Sequence, residues 1–441
     1  MSPAPISDRG TGVGGLHCEL PAGLGDILPD HAAEFLELRR ELLQTMARWG
    51  YRPVVPPLLE YAEVFSRAAA DPGTELAAYK LVDRDTGHVL ALRPDFTPQL
   101  ARLVATRFRD ASLPLRLCYE GSVLRHVPAR KGRSRELHQV GAELLGVCDP
   151  EADAEAIALA VDCLHRAGLR EFKVDVGQVE FFRGVLQGTA LTADQTDTVT
   201  SAVARKDVSE LATVLELLPL SDSKKRLLAE LPLLAGGPEV LDRALAMVES
   251  DHSRAALDGL TQVVRYAEAH HLADHLTIDL GEIRGIDYHT GVIFEAFVHH
   301  LGVPLCRGGR YDRLLGCYGV DLPATGFSLD LVALTEALHL QHGAGPTAPR
   351  GVFLVNFAPN RTPAVALAHS LRDAGVRAAR DCIRRPLEQS AAHAREQGFR
   401  WVAVLTEQGT AAPLRLLDLT TGGEHPVAHD QLVATLTAEE S

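Results

Sequence analysis

An α+β fold is what this sequence predicts: a mostly antiparallel sheet flanked by helices, interrupted by an all-helical segment and followed by a smaller α/β unit. Three observations carry that expectation. Strand-like alternation recurs between residues 51 and 145 and again between 277 and 330, with helical periodicity beside it. Residues 179–275 carry Leu/Ala/Val spacing of helical period and no strand signal. After a Gly/Pro-rich stretch at 341–349, helices and strands alternate to the end.

The length of 441 residues suggests two or three domains, and 46% hydrophobic against 23% charged residues is the balance of a globular protein with a core. The net charge of −14 disfavours generic nucleic-acid binding. No apolar run is long enough to span a bilayer, and the N-terminal fifteen residues have no apolar signal core, so neither membrane insertion nor export is expected. Seven scattered cysteines, none in CxxC spacing, fit a reducing cytoplasm and argue against a zinc knuckle or disulfide framework.

Residues 1–19 read as a flexible tail. Its Gly10-to-Gly15 string follows no strand and opens no helix, so it is not read as a phosphate loop. The core is expected over 20–178 and 276–340. Asp30 is the expected N-cap of a helix whose one face carries Phe35, Leu38, Leu42, Met46 and Trp49, with Gly50 as its stop. A strand follows over Tyr51 to Pro57, then paired strands over Lys80 to Asp83 and His88 to Leu92, and a helix over Thr97 to Phe108. Strands over Leu115 to Leu124 and Glu136 to Leu145 enclose a loop with five cations, Arg125, Arg130, Lys131, Arg133 and Arg135. An amphipathic helix runs from Glu151 to Ala167, and a strand from Phe172 to Val176.

The helical insert, 179–275, is plausible as a subdomain. Near its end, His271 and His275 stand at helical i,i+4 spacing; without a neighbouring carboxylate signature they read as a surface pair, and no metal is assigned. Strands are expected at Thr277 to Leu280 and Val292 to Val298, and a strand leading into a helix over Thr325 to Leu340. Gly308-Gly309 reads as a tight turn or bulge, or as a place of close backbone approach. The C-terminal unit, 350–441, balances ten arginines with ten acids, a poor footprint for RNA phosphates.

Three clusters of polar residues exceed what packing requires: Leu92-Arg-Pro-Asp-Phe-Thr-Pro-Gln99; Glu120 to Arg125 with His138 to Glu143; and Arg284-Gly-Ile-Asp-Tyr-His-Thr-Gly291 with Arg307 to Asp312. Gln139 and Glu143 share one face of a strand. Read singly, Arg284 and Arg310 are ion-pair residues, with Asp312 the natural partner of Arg310.

Together, and in this order, the segments resemble the class II histidyl-tRNA synthetase fold over nearly the whole chain from Leu20. Pro57-Leu-Leu-Glu60 resembles its dimerisation motif, and Arg125 to Glu143 its second motif. Arg284 to Tyr288 and Gly308 to Asp312 resemble its histidine-specific signatures, and the last unit its anticodon-binding domain. The departures fall on the ATP signatures. Where the second motif reads Arg-x-Glu, this chain has Arg125-His126-Val127; where the third has Gly-x-Glu-Arg, it has Asp330-Leu-Val332-Ala333. A phosphate clamp needs a fixed cation, which Ala333 cannot supply; loss of one such group typically costs about 10²–10³ in rate. Adenylate formation is therefore not expected.

Asp95-Phe-Thr-Pro-Gln99, in place of Glu-Gly-Thr, is similar to a paralogous family, the regulatory subunits of ATP phosphoribosyltransferase. That resemblance implies a non-catalytic chain that a short-form catalytic subunit requires for activity in the first step of histidine biosynthesis, and that confers inhibition by histidine. It implies a homodimer within a hetero-octamer, a cytoplasmic location, no cofactor and no metal. It places Asp95, Thr97 and Gln139 at the amino group of histidine, Arg125 and Arg284 near its carboxylate, and Glu143 and Tyr311 at its imidazole. Tyr288 belongs to the same site; His289, where the synthetases have a second tyrosine, alters the imadazole contact if it lines the pocket. The alternatives are a divergent histidyl-tRNA synthetase, which would catalyse histidine-dependent ATP–pyrophosphate exchange, and a stand-alone histidine- or tRNA-binding adaptor, which the acidic charge disfavours.

Overall fold

The computed structural model describes residues 20–68, 78–126, 134–343 and 349–440, apart from the side chains of Asp30, Glu439 and Glu440. The N-terminal string Gly10 to Gly15, Val127, and the loop cations Arg130, Lys131 and Arg133 lie outside the described residues. The chain divides into two compact units, Met1–Gly343 and Ala344–Ser441.

The first unit is organised by a nine-stranded sheet. In chain order its strands and those of a small companion sheet are β1 (Arg52–Pro53), β2 (Leu59–Tyr61), β3 (Lys80–Val82), β4 (Val89–Leu92), β5 (Leu115–Leu124), β6 (Glu136–Leu145), β7 (Lys173–Gln178), β8 (Ala235–Gly236), β9 (Leu276–Asp279), β10 (Val292–Phe297), β11 (Cys306–Arg310) and β12 (Ala324–Asp330). The large sheet runs β1-β5-β6-β12-β11-β10-β7-β9-β8, and the small one β2-β4-β3. Only the β1–β5 and β7–β9 pairs are parallel; the centre of the large sheet is antiparallel.

The helices of this unit are α1 (Pro29–Arg48), α2 (Ala62–Ala68), α3 (Thr97–Arg107), α4 (Pro150–Arg166), α5 (Val179–Leu186), α6 (Ala193–Ala204), α7 (Val208–Leu217), α8 (Asp222–Glu230), α9 (Glu239–Met247), α10 (Asp251–Ala269) and α11 (Leu331–His342). The α1 helix starts two residues earlier than expected: Leu28 is its N-cap and Pro29 its first residue, a position where a missing N–H costs nothing. Leu38, Leu42 and Met46 form its buried stripe. Gly50 ends it in the left-handed region, at φ +83°. In α4, Asp149 accepts a hydrogen bond from the Glu151 amide, and Ala152, Ala154, Ala156, Ala158 and Ala160 are all buried, so the helix lies close on its neighbours.

Several expectations need correction. The Tyr51 to Pro57 strand shrinks to two residues, because three of those seven positions, Pro53, Pro56 and Pro57, are Pro and cannot donate to a ladder. Gly308 and Gly309 are neither turn nor bulge: they lie inside β11, a central strand between β10 and β12. The insert is not purely helical, since β8 pairs with β9. Nor does it have a core of its own. Its buried Leu211, Leu215, Leu228, Leu257 and Leu260 are continuous with Val174, Val176 and Phe294 of the sheet. His271 and His275 lie beyond the end of α10; His271 has φ +62°, and His275 turns inward to stack on Phe172 and meet His165, Nε2 to Nε2, at 3.0 Å.

The second unit has β13 (Val352–Asn356), β14 (Ala378–Arg380), β15 (Trp401–Leu405), β16 (Leu414–Asp418) and β17 (Glu424–Val427), in the order β14-β13-β15-β16-β17, with α12 (Thr362–Asp373), α13 (Leu387–Glu396) and α14 (Leu432–Glu440). The strand β17 and helix α14 had no sequence signal strong enough to be expected. His425 and Pro426 dilute the strand pattern of β17.

Candidate functional site

Four strands, β5, β6, β11 and β12, with the segments around Asp95, Arg125 and Tyr288, build a half-open cavity of about 210 Å³ on the large sheet. Of the expected site residues, Asp95, Thr97, Arg125, Gln139, Glu143, Tyr288, His289 and Tyr311 all line it. Arg284 does not: half-exposed, it pairs with Glu282 at 2.9 Å and Glu295 at 3.5 Å. The sequence reading missed Tyr119, Arg307 and Ser328 as cavity residues. Arg307 belongs to the third polar cluster, but its place on the cavity lining follows from β11 being a strand.

Glu143 forms the floor. It is 1% exposed and accepts hydrogen bonds from Tyr311 Oη (2.5 Å), Thr97 Oγ1 (2.9 Å) and Tyr119 Oη (3.4 Å). Burial pushes its carboxyl up to about 8, against the pull of the three hydroxyls. The floor exists because Gly326, paired with Glu143 across the β6–β12 ladder, has no side chain: a Cβ there would sit 1.7 Å from Glu143 Oε2. Tyr288 stacks on Tyr311, ring centroids 5.6 Å apart.

His289 forms part of the wall. Its Nδ1 lies 3.3 Å from the Arg310 carbonyl, and its ring fills the space that a side chain on Gly309 would take. Burial pushes its pKa down to about 4, so the imidazole is neutral at ordinary pH and Nδ1–H is the donor. Asp95 Oδ1 accepts from the Thr97 amide at 3.4 Å, and Arg125 Nε donates to the Pro94 carbonyl at 2.9 Å, so one short segment positions all three. Gln139 is 8% exposed; its Nε2 lies 3.4 Å from Ser328 Oγ, and its Oε1 is buried without a protein partner. A buried orphan acceptor facing a cavity is where a ligand N–H is worth most. Arg310 is structural: buried, it holds Asp153 at 3.0 Å, Asp312 at 3.2 Å and the Val147 carbonyl at 3.0 Å.

At the other end of the cavity, α11 begins. Asp330 Oδ1 accepts from the amides of Val332 (3.0 Å) and Ala333 (3.2 Å). A helix N-terminus is a ready anion site, and here the chain's own carboxylate fills it. Ala333 is 6% exposed and offers no cation. At about 210 Å³ the cavity is small beside the roughly 300–1,000 Å³ usual for ligand sites.

The mostly antiparallel sheet with a polar cavity against it is the architecture of a histidyl-tRNA-synthetase-like protein. The histidyl-tRNA synthetase family profile matches residues 23–334. A relative from Syntrophotalea carbinolica called ATP phosphoribosyltransferase regulatory subunit is 44% identical, over 94% of this chain and 96% of its own; one of the same name from Geobacter sulfurreducens is 42% identical, over 88% and 89%. Among solved structures, an ATP phosphoribosyltransferase regulatory subunit/histidyl-tRNA synthetase from Bacillus halodurans C aligns with TM-score 0.77 at 30% identity, over 86% of this chain and 97% of that one. A histidyl-tRNA synthetase from Nostoc sp. PCC 7120 aligns with TM-score 0.81 at 22% identity, over 96% and 100%, a likeness of fold. The chain belongs to the family of ATP phosphoribosyltransferase regulatory subunits, regulatory rather than catalytic chains built on the synthetase fold.

Proposed function

We propose that this chain activates a short-form ATP phosphoribosyltransferase catalytic subunit and makes it sensitive to histidine, the end product of the pathway that enzyme opens. The observation that carries the reading is the asymmetry of the cavity. Its amino-acid end keeps Glu143 with three hydroxyl donors, while at its other end Asp330 caps α11 and Ala333 stands where a clamp would need a cation. A histidine sensor needs the first and has no use for the second. In the proposed complex, Glu143 and Tyr311 meet the imidazole, and Asp95, Thr97 and Gln139 the α-amino group. Arg125 is the cation for the carboxylate, with Arg307, which lines the cavity while paired with Glu295 at 2.8 Å, as the second cation beside it.

The mechanism is a population shift. Contacts with the regulatory chain favour an active arrangement of the catalytic subunits, and histidine binding favours an inactive one, which requires unequal affinity for the two. The assembly is a hetero-octamer containing homodimers of this chain, operating in the cytoplasm, without metal or cofactor in the histidine site and without tRNA. An exposed apolar face on the small sheet, Leu59, Tyr61 and Leu81, supports the homodimer. No described helix is long and apolar enough to cross a membrane.

Phosphoribosyl-ATP formation by a cognate catalytic subunit, with and without this chain across a histidine titration, tests the reading. Activation reversed by histidine is expected. Activation indifferent to histidine would remove the sensor role, and no activation would overturn the proposal as a whole.

A further inference from the structure

Outside the cavity, one cluster of side chains has the chemistry of a metal site. His31 and Glu34 stand three residues apart on the first turns of α1, and therefore on one face of it. Facing them from the last turn of α11 is His339. The Glu34 carboxylate straddles His339 Nε2, at 2.8 and 3.0 Å, and the rings of His31 and His339 lie 5.7 Å apart. One ligand atom from each of the three residues falls within 4.8 Å of the other two.

We propose that His31, Glu34 and His339 bind a divalent transition-metal ion of the zinc class. Two imidazole nitrogens and one carboxylate oxygen form a donor set suited to borderline ions such as Zn²⁺, not to the all-oxygen preference of Mg²⁺ or Ca²⁺. Bonds of about 2.0–2.1 Å in a tetrahedral site put ligand atoms about 3.3–3.5 Å apart. The Glu34–His339 spacing is already close to that, so the adjustment falls on His31. His31 is exposed, and rotation of its side chain disturbs no core. Three protein ligands leave the fourth position to water on the solvent side. The ion would tie the start of α1 to the end of α11, two helices whose only other described polar link at this point is the Glu34–His339 ion pair itself. This proposal does not depend on the histidine-sensing reading.

The test uses the full-length, untagged chain, Zn²⁺ as the probe, and His31→Ala as the main variant, because that change leaves the Glu34–His339 pair in place. Isothermal titration, with a chromogenic chelator as competitor, counts the equivalents; a thermal melt reads the clamp. The expected result is one Zn²⁺ per chain that His31→Ala and His339→Ala each weaken at least tenfold. A rise in Tm of about 3 °C at Zn²⁺ 100-fold above Kd should accompany it in the parent and be missing from His31→Ala. A surface substitution elsewhere, His425→Ala, should change neither. Equal zinc stoichiometry and affinity in the parent and His31→Ala would overturn the proposal, as would the absence of any equivalent tighter than weak binding to scattered histidines.

Discussion

Glu143 is a carboxylate held where its charge is least welcome, and the consequence is a pH dependence with a definite sign. With its folded pKa near 8 and an unfolded value near the usual 4.5, the folded chain keeps a proton that the unfolded chain has already lost between those two pH values. Stability contributed by this group is therefore intact below about pH 4.5, falls as pH rises from there to 8, and is flat above. Glu143→Gln removes the titration, so denaturant unfolding at pH 5, 7 and 9 should show the variant gaining on the parent as pH rises. A gap that stays constant would mean that Glu143 does not titrate in this window. Gly326→Ala attacks the same floor sterically. Its Cβ cannot share space with Glu143 Oε2, so the carboxylate must leave its three hydroxyl donors. Overpacking of this kind typically costs about 1–3 kcal/mol. Histidine binding measured by calorimetry should be lost even where the chain remains folded.

At the scale of elements, Asp330 links a strand to the helix that follows. It ends β12, caps α11 and faces the cavity, so one side chain both stabilises a helix and occupies an anion position. Asp330→Ala should lower stability by about 1 kcal/mol, the usual value of an N-cap, read as a fall in the denaturant midpoint with an unchanged m-value. Strand β11 teaches the converse lesson. Arg307-Gly-Gly-Arg310 has no strand propensity, yet it occupies the sheet's centre because β10 and β12 supply both ladders. Its glycines are needed there: side chains on them would strike the Phe294 ring and His289. By contrast β5 and β6 ran from Leu115 to Leu124 and from Glu136 to Leu145 in sequence and structure alike, since alternation over ten residues leaves little room for another register.

For the whole molecule, the small sheet is the place to test assembly. Leu59, Tyr61 and Leu81 share its outer face and are 41%, 52% and 40% exposed, whereas Ala91 on the inner face is fully buried. If this face joins two copies, Tyr61→Glu combined with Leu81→Glu should turn the dimer into a monomer in sedimentation velocity, with the melting of the second unit unaffected. A dimer that survives both charges would locate the interface elsewhere.

The sequence by itself determined the fold class, the order of the motifs and, of the nine site residues it proposed, eight that line the cavity, because ordered motifs at fixed positions along long strands leave few ways to fold. It also put an uncharged Ala333 where the synthetase signature carries an arginine. Tertiary structure alone decided that Arg284 and Arg307 share the Glu295 carboxylate with Arg307 on the cavity lining, that the insert shares the sheet's core, and that His339 meets His31 and Glu34 from the far end of the unit. The physical reason is the same in each case. Local pattern fixes which face a residue takes on its own element, but which charges and rings it meets depends on how distant elements pack, and that information has no period along the chain.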